Sequence, residues 1–262
     1  MALFGGLNYN DLGGTLDAAQ DDRTSRGYTW HAIVDNIPRL FISNLICILF
    51  LIPAMTGFLL GMLWDRPQIL LLSGVIGGAI AAPSYAALYD ASLMAYRGYP
   101  GRWWERYKLV FKREWKGSLL PGMLLGLLAA MAANLVMNLQ EGNRLPDMML
   151  VSMIIVAVAA LAIFTWFWTQ RLMLDLSLVQ LVKNSWLMTM MHPLVTLGAI
   201  ALRVVYWVVM LILYPYSMVF LVLLGVWFPT FMTVRIMYNT IDKDMRLDER
   251  YEAAQQEDDE EV

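Results

Sequence analysis

Leu40–Trp64 reads LFISNLICILFLIPAMTGFLLGMLW, a run without one charged side chain. A hydrocarbon core of about 30 Å needs about 20 such residues in a helix, so this run reads as a membrane span. Further apolar stretches follow at Ile69–Met94, Leu119–Leu139, Met148–Trp168, Leu194–Leu213 and Tyr216–Thr233. The expectation is an all-α polytopic bundle of about six transmembrane helices over residues 39–238, with five spans plus a re-entrant segment as the alternative. A polar lead-in, 1–38, precedes it and an acidic tail, 239–262, follows.

The cations are placed unevenly around these stretches. With the N-terminus on the cytoplasmic side, 16 of the 19 Lys and Arg fall inside, Arg66 and Arg144 fall outside, and Arg203 lies within a span. The opposite orientation would put the seven cations of Arg97–Lys116 outside, against the positive-inside rule. Both termini are therefore expected in the cytoplasm. Hydrophobic residues make up 59% of the chain and the mean hydropathy is +0.53. The spans leave no room for a sizeable soluble domain. The single cysteine, Cys47, excludes an intrachain disulfide framework and argues against a thiolate metal cluster. Residues 1–30 lack a signal-peptide pattern, so the first span should act as the insertion signal.

The connection Arg97–Lys116, RGYPGRWWERYKLVFKREWK, is the most distinctive polar segment. Trp103, Trp104, Tyr107, Val110, Phe111 and Trp115 recur at helical spacing, and Arg102, Arg106, Lys108, Lys112, Arg113 and Lys116 flank them. Such a helix, expected over 101–117, lies at the membrane surface with rings at headgroup depth and cations toward anionic headgroups. The alternative reading is a docking surface for a partner protein or a phosphate-bearing ligand. Nucleic acid is not expected, because these rings are sunk in the bilayer and not offered to bases. A second connection, Arg171–His192, echoes the first in Leu181-Val182, Trp186 and Pro193, which suggests a duplicated unit of span, surface helix and span.

Gly57 and Gly61, Gly74 and Gly78, and Gly122 and Gly126 form GxxxG pairs inside spans. They read as close helix packing within the chain or, alternatively, as a face for a homo-oligomer. Arg203 is either a buried functional cation or a residue nearer the inner interface. Asp90 could pair with it, pair with the basic elbow, or remain a solvated carboxylate. No HExxH, GxSxG or Walker pattern occurs. No clustered nucleophile, base or ligand set suggests catalysis, so neither an enzyme nor a cofactor or metal site is expected.

Several short motifs resemble the YesL-like bacterial membrane proteins, a family defined as a domain of unknown function. They are MALFGGLNY at Met1–Tyr9, Asn44-Leu45 followed by Pro53, Thr56 and Gly57, and Ala82-Pro83 through Tyr89. Phe111-Lys112 with Trp115-Lys116, and Asp175-Leu176-Ser177-Leu178 with Lys183-Asn184, complete the set. About 25 residues separate the Pro53–Gly57 motif from Pro83, where some members bring these pieces much closer. The resemblance implies a bacterial cytoplasmic-membrane protein associated with carbohydrate uptake or utilisation, and it supplies no catalytic residues. The expected function is a non-catalytic accessory or regulatory membrane component contacting a transporter subunit or sensor. The alternatives are a small-solute transporter or channel, and a structural protein self-associating through its GxxxG faces.

Overall fold

The computed structural model describes residues 26–98, 102–140, 146–174, 176–213 and 216–245. The leader motif, residues 99–101, Arg144, Asp175 and most of the acidic tail lie outside these residues. The described chain is all helix: α1 (Arg26–Leu63), α2 (Pro67–Arg97), α3 (Trp103–Gly117), α4 (Leu119–Gln140), α5 (Asp147–Met173), α6 (Leu178–Met191), α7 (Pro193–Ile212), α8 (Ser217–Leu223) and α9 (Trp227–Met245).

The end of the polar lead-in and the first span are one continuous helix, α1, which passes through Pro38 and Pro53. Likewise α2 continues through Pro83. Asp65, at φ 50°, turns the chain between α1 and α2, a left-handed position that Asp tolerates better than most residues. Gly98, at φ 70°, ends α2 by donating its N–H back to the Ala95 carbonyl.

Five helices, α1, α2, α4, α5 and α7, are long and apolar enough to cross a membrane, so the chain is a multi-pass membrane protein. The expected sixth span, 216–233, is not one helix. It is divided into α8 and α9 by a turn at residues 224–226, and α9 runs on to Met245. Arg235 lies near the middle of α9 and Asp242, Lys243 and Asp244 near its end, so composition alone does not mark it as a span. It nevertheless runs antiparallel to α7. His192 meets Asp244, Arg203 meets Thr233, and Tyr206 meets the Gly225 carbonyl. Residues 239–245, read as tail, are the last two turns of this helix.

Hydrocarbon supplies no hydrophobic drive between helices, so close packing and polar contacts hold such a bundle together. The central helix is α2: half of its apolar window is buried, against 11–17% for the other four candidate spans. The α1 helix lies along one side of it and α4 along another. Where α2 crosses α4, both GxxxG pairs face each other. A Cβ added to Gly74 would stand 2.5 Å from the Gly126 carbonyl oxygen, and one on Gly78 would strike the Gly122 carbonyl. Gly57 faces Ser73, and Gly61 faces Leu70. All six glycines are thus occupied by helix contacts within one chain. A homo-oligomer built on these faces would first have to separate them.

The helix order repeats. Both α3 and α6 are short helices lying against the span that precedes them, α2 and α5 respectively. The second set is less tightly closed, since α5 and α7 touch over a smaller area than α2 and α4.

Candidate functional site

The surface helix α3 is bolted to the bundle by its own charges. Arg106 donates from Nε to Asp90 Oδ2 at 2.7 Å and from Nη2 to Asp90 Oδ1 at 2.9 Å. Both side chains are almost fully buried. Paired, a bidentate guanidinium–carboxylate contact in such surroundings is well satisfied; unpaired, either charge would be costly. Asp90 is therefore neither a solvated carboxylate nor the partner of Arg203; it anchors the elbow.

The cations of α3, expected toward anionic headgroups, are therefore divided, with Arg106 turned into the bundle. The buried face of the helix is Arg106, Tyr107, Val110 and Glu114, spaced three and four apart. Glu114 is also buried. It accepts from Arg113 Nε at 3.0 Å and from Arg171 Nε, at the end of α5, at 2.9 Å. Arg113 is thus partly engaged. Tyr107 points its hydroxyl toward the Ser84 carbonyl at 3.5 Å. Burial, with a smaller contribution from the Cys47 thiol, pushes its phenol well above the ordinary value, so it stays a neutral donor. A cavity of about 20 Å³ beside Asp90 and Arg106, bordered by Asn36 and Arg39, has room for one water.

The aromatic stripe is divided accordingly. Tyr107 and Val110 are core residues, with Trp103 and Phe111 packed against the core, while Trp104 and Trp115 face outward. Lys108 sits 5.7 Å from the centre of the Trp104 ring. Phe111, Lys112, Arg113, Trp115 and Lys116 border an open cleft of about 320 Å³ on the outer face of the elbow. Arg102 is exposed and pairs with Glu105 at 3.3 Å.

Arg203 lies halfway along α7 and is held away from the elbow. Its Nε donates to Thr233 Oγ1 at 2.9 Å and its Nη1 to Thr165 Oγ1 at 3.4 Å. Both hydroxyls spend their protons on carbonyls of their own helices, Pro229 and Leu161, which leaves lone pairs to receive the guanidinium. One turn along α5, Thr169 pairs with the Tyr89 hydroxyl at 2.8 Å. Four helices, α2, α5, α7 and α9, thus meet at hydroxyl groups inside the bundle. Next to Thr169, the fully buried Gln170 has no hydrogen-bond partner for either amide atom. Arg203 itself is half-buried, with its Nη2 atom enclosed.

Asn44 is the remaining polar contact of note. Its side chain, buried in α1, accepts from the backbone N–H groups of Val226 at 2.8 Å and Trp227 at 3.3 Å. It donates to the Val222 carbonyl at 3.0 Å. The break between α8 and α9 therefore has its freed groups satisfied from both sides, as non-helical backbone at membrane depth requires.

Sequence reasoning did not single out Thr165, Thr169, Thr233, Gln170, Glu114 or Arg171 as site residues. Threonine and glutamine scattered through apolar helices carry no spacing signal of their own. Only the regular three- and four-residue step from Arg106 to Glu114 could have shown that two charges of α3 share the Val110 face. Comparison of the chain with protein-family models, curated proteins and solved structures finds no match.

Proposed function

We propose that this chain is a non-catalytic accessory or regulatory protein of a bacterial cytoplasmic membrane, with both termini on the cytoplasmic side. The observation that carries this reading is the two-sided elbow. One face of α3 is fixed to α2 and α5 by buried ion pairs, while the other presents Lys112, Arg113, Lys116, Phe111 and Trp115 around an open cleft. A rigidly mounted, cationic and aromatic surface suits a contact with anionic headgroups and with an acidic patch on a transporter subunit or sensor. The link to carbohydrate uptake rests on the YesL-like resemblance. The orientation rests on the distribution of Lys and Arg. The test is in-cell crosslinking of the tagged protein, read by mass spectrometry. Lys112→Glu, Arg113→Glu and Lys116→Glu together should lower recovery of any stoichiometric partner several-fold. Recovery of the chain alone, or a partner unaffected by the triple reversal, removes the elbow from the mechanism.

A second reading, a small-solute transporter, is favoured by Arg203 inside the bundle and by the interrupted α8–α9 crossing, since discontinuous helices line many transporter sites. It requires a water-accessible path. Introduced cysteines along α1, α2 and α7 that all resist polar thiol reagents would eliminate it.

A further inference from the structure

Arginine keeps its charge at any depth, and a charge at the centre of a span costs about 2.5–3.5 kcal/mol on the insertion scale. Arg203 is held in the bundle by neutral groups: it donates to Thr233 and Thr165, and the Tyr89 hydroxyl lies close to it. Hydroxyls satisfy N–H groups but do not neutralise a cation. No acidic side chain among the described residues reaches it: Asp90 is bound to Arg106, Glu114 to Arg113 and Arg171, and Asp244 to His192. Its Nη2 is buried without any hydrogen-bond partner. A guanidinium carries five N–H donors, and two of them are used here. The unused donors are both of Nη2 and one of Nη1, and Nη2 belongs to both edges through which a guanidinium can receive a carboxylate, the Nε–Nη2 edge that Arg106 turns to Asp90 and the Nη1–Nη2 edge.

We propose that Arg203 is the binding group of a site inside the bundle for a small monovalent anion, with a carboxylate the best geometric fit. One negative charge balances one guanidinium. A second would leave the complex net negative among apolar helices, with no further cation in contact to offset it. Thr233 and Thr165 fix the plane of the guanidinium by accepting from its Nε and Nη1, so Nη2 keeps its direction before the anion arrives. This site is separate from the elbow and does not depend on the accessory reading. It is also independent of whether the anion is carried across or merely held.

The probes are chloride and formate, with the full chain purified in an uncharged detergent and ionic strength held constant with sodium sulfate. Chlorine-35 linewidth is measured as formate is added. Wild-type protein should show excess broadening that formate removes saturably, and Arg203→Gln, with an unchanged circular dichroism spectrum and elution profile, should lose that component. The cations of the elbow broaden chloride equally in both proteins, so the difference reports Arg203. Equal formate-reversible broadening in the two proteins, or none in the wild type, overturns the proposal. Should Arg203→Gln fail to fold, Arg203→Lys keeps the charge but loses the planar fork. Its formate midpoint should then rise at least fivefold, and an unchanged midpoint overturns the site.

Discussion

The units α2–α3–α4 and α5–α6–α7 share a layout and are closed by opposite means. In the first, glycine faces glycine, and Gly74 and Gly78 bring the α2 backbone against Gly122 and Gly126 of α4. Nothing larger than a hydrogen atom fits there. In the second, the glycine of α7, Gly198, meets no other atom within 4 Å of where its Cβ would stand. Its neighbours approach through side chains instead: Trp166 Nε1 donates to Thr196 at 2.9 Å, and Arg203 spans from Thr165 to Thr233. Backbone contact rigidifies and excludes ligands. Contact through hydroxyl and guanidinium groups leaves donors that a small guest can use. One half therefore reads as scaffold and the other as the place where binding can occur.

The elbows differ in the same sense. Buried ion pairs lock α3, whereas α6 begins with a capping box, the Ser177 hydroxyl accepting from the Gln180 N–H while Gln180 Oε1 accepts from the Ser177 N–H. The largest test of this contrast is Asp90→Ala. It strands Arg106 in the bundle and should cost about 3–5 kcal/mol, measured by reversible unfolding in mixed micelles. A loss under about 1 kcal/mol would mean that water already shares the Arg106 site. Next comes one substitution made in both units. Gly126→Ala should destabilise by about 1–3 kcal/mol through overpacking, whereas Gly198→Ala should stabilise by about 0.4–1 kcal/mol, because it restricts the unfolded chain and meets no neighbour. Shifts of the same sign would dissolve the distinction between the halves. The smallest single loss is expected for Ser177→Ala, about 1 kcal/mol from the cap, with the α3 ion pairs undisturbed. Weakening of the Glu114–Arg171 contact in that variant, read by a double-mutant cycle, would show that the elbows are coupled.

Much of the scaffold half was legible because its signals are local. The apolar runs, the GxxxG spacing and the clustered cations can each be read within one segment. The face of α3 was misread for a physical reason: on a helix at a membrane surface, a stripe of aromatics is ordinarily its lipid side, and only the distant Asp90 and Arg171 turn Arg106 and Glu114 inward. The break before α9 has two local signs, Gly225 and Pro229 in the first turn of α9. The later charges of α9 keep composition from marking it as a span, although it packs against α7 and α2. Arg203 stood out as an anomaly, but its partners lie 30 and 38 residues away and are threonines, the least conspicuous polar residues of an apolar helix.

The contact of Asn44 with the α8–α9 turn joins residues about 180 positions apart. Its consequence concerns register. The peptide groups at the break have no helical partner, and hydrocarbon offers none. One amide on α1 meets them from both sides. Sliding α1 by a single residue, about 1.5 Å along its axis, would carry that amide out of reach. The position of α1 and the shape of the turn before α9 are thereby set together.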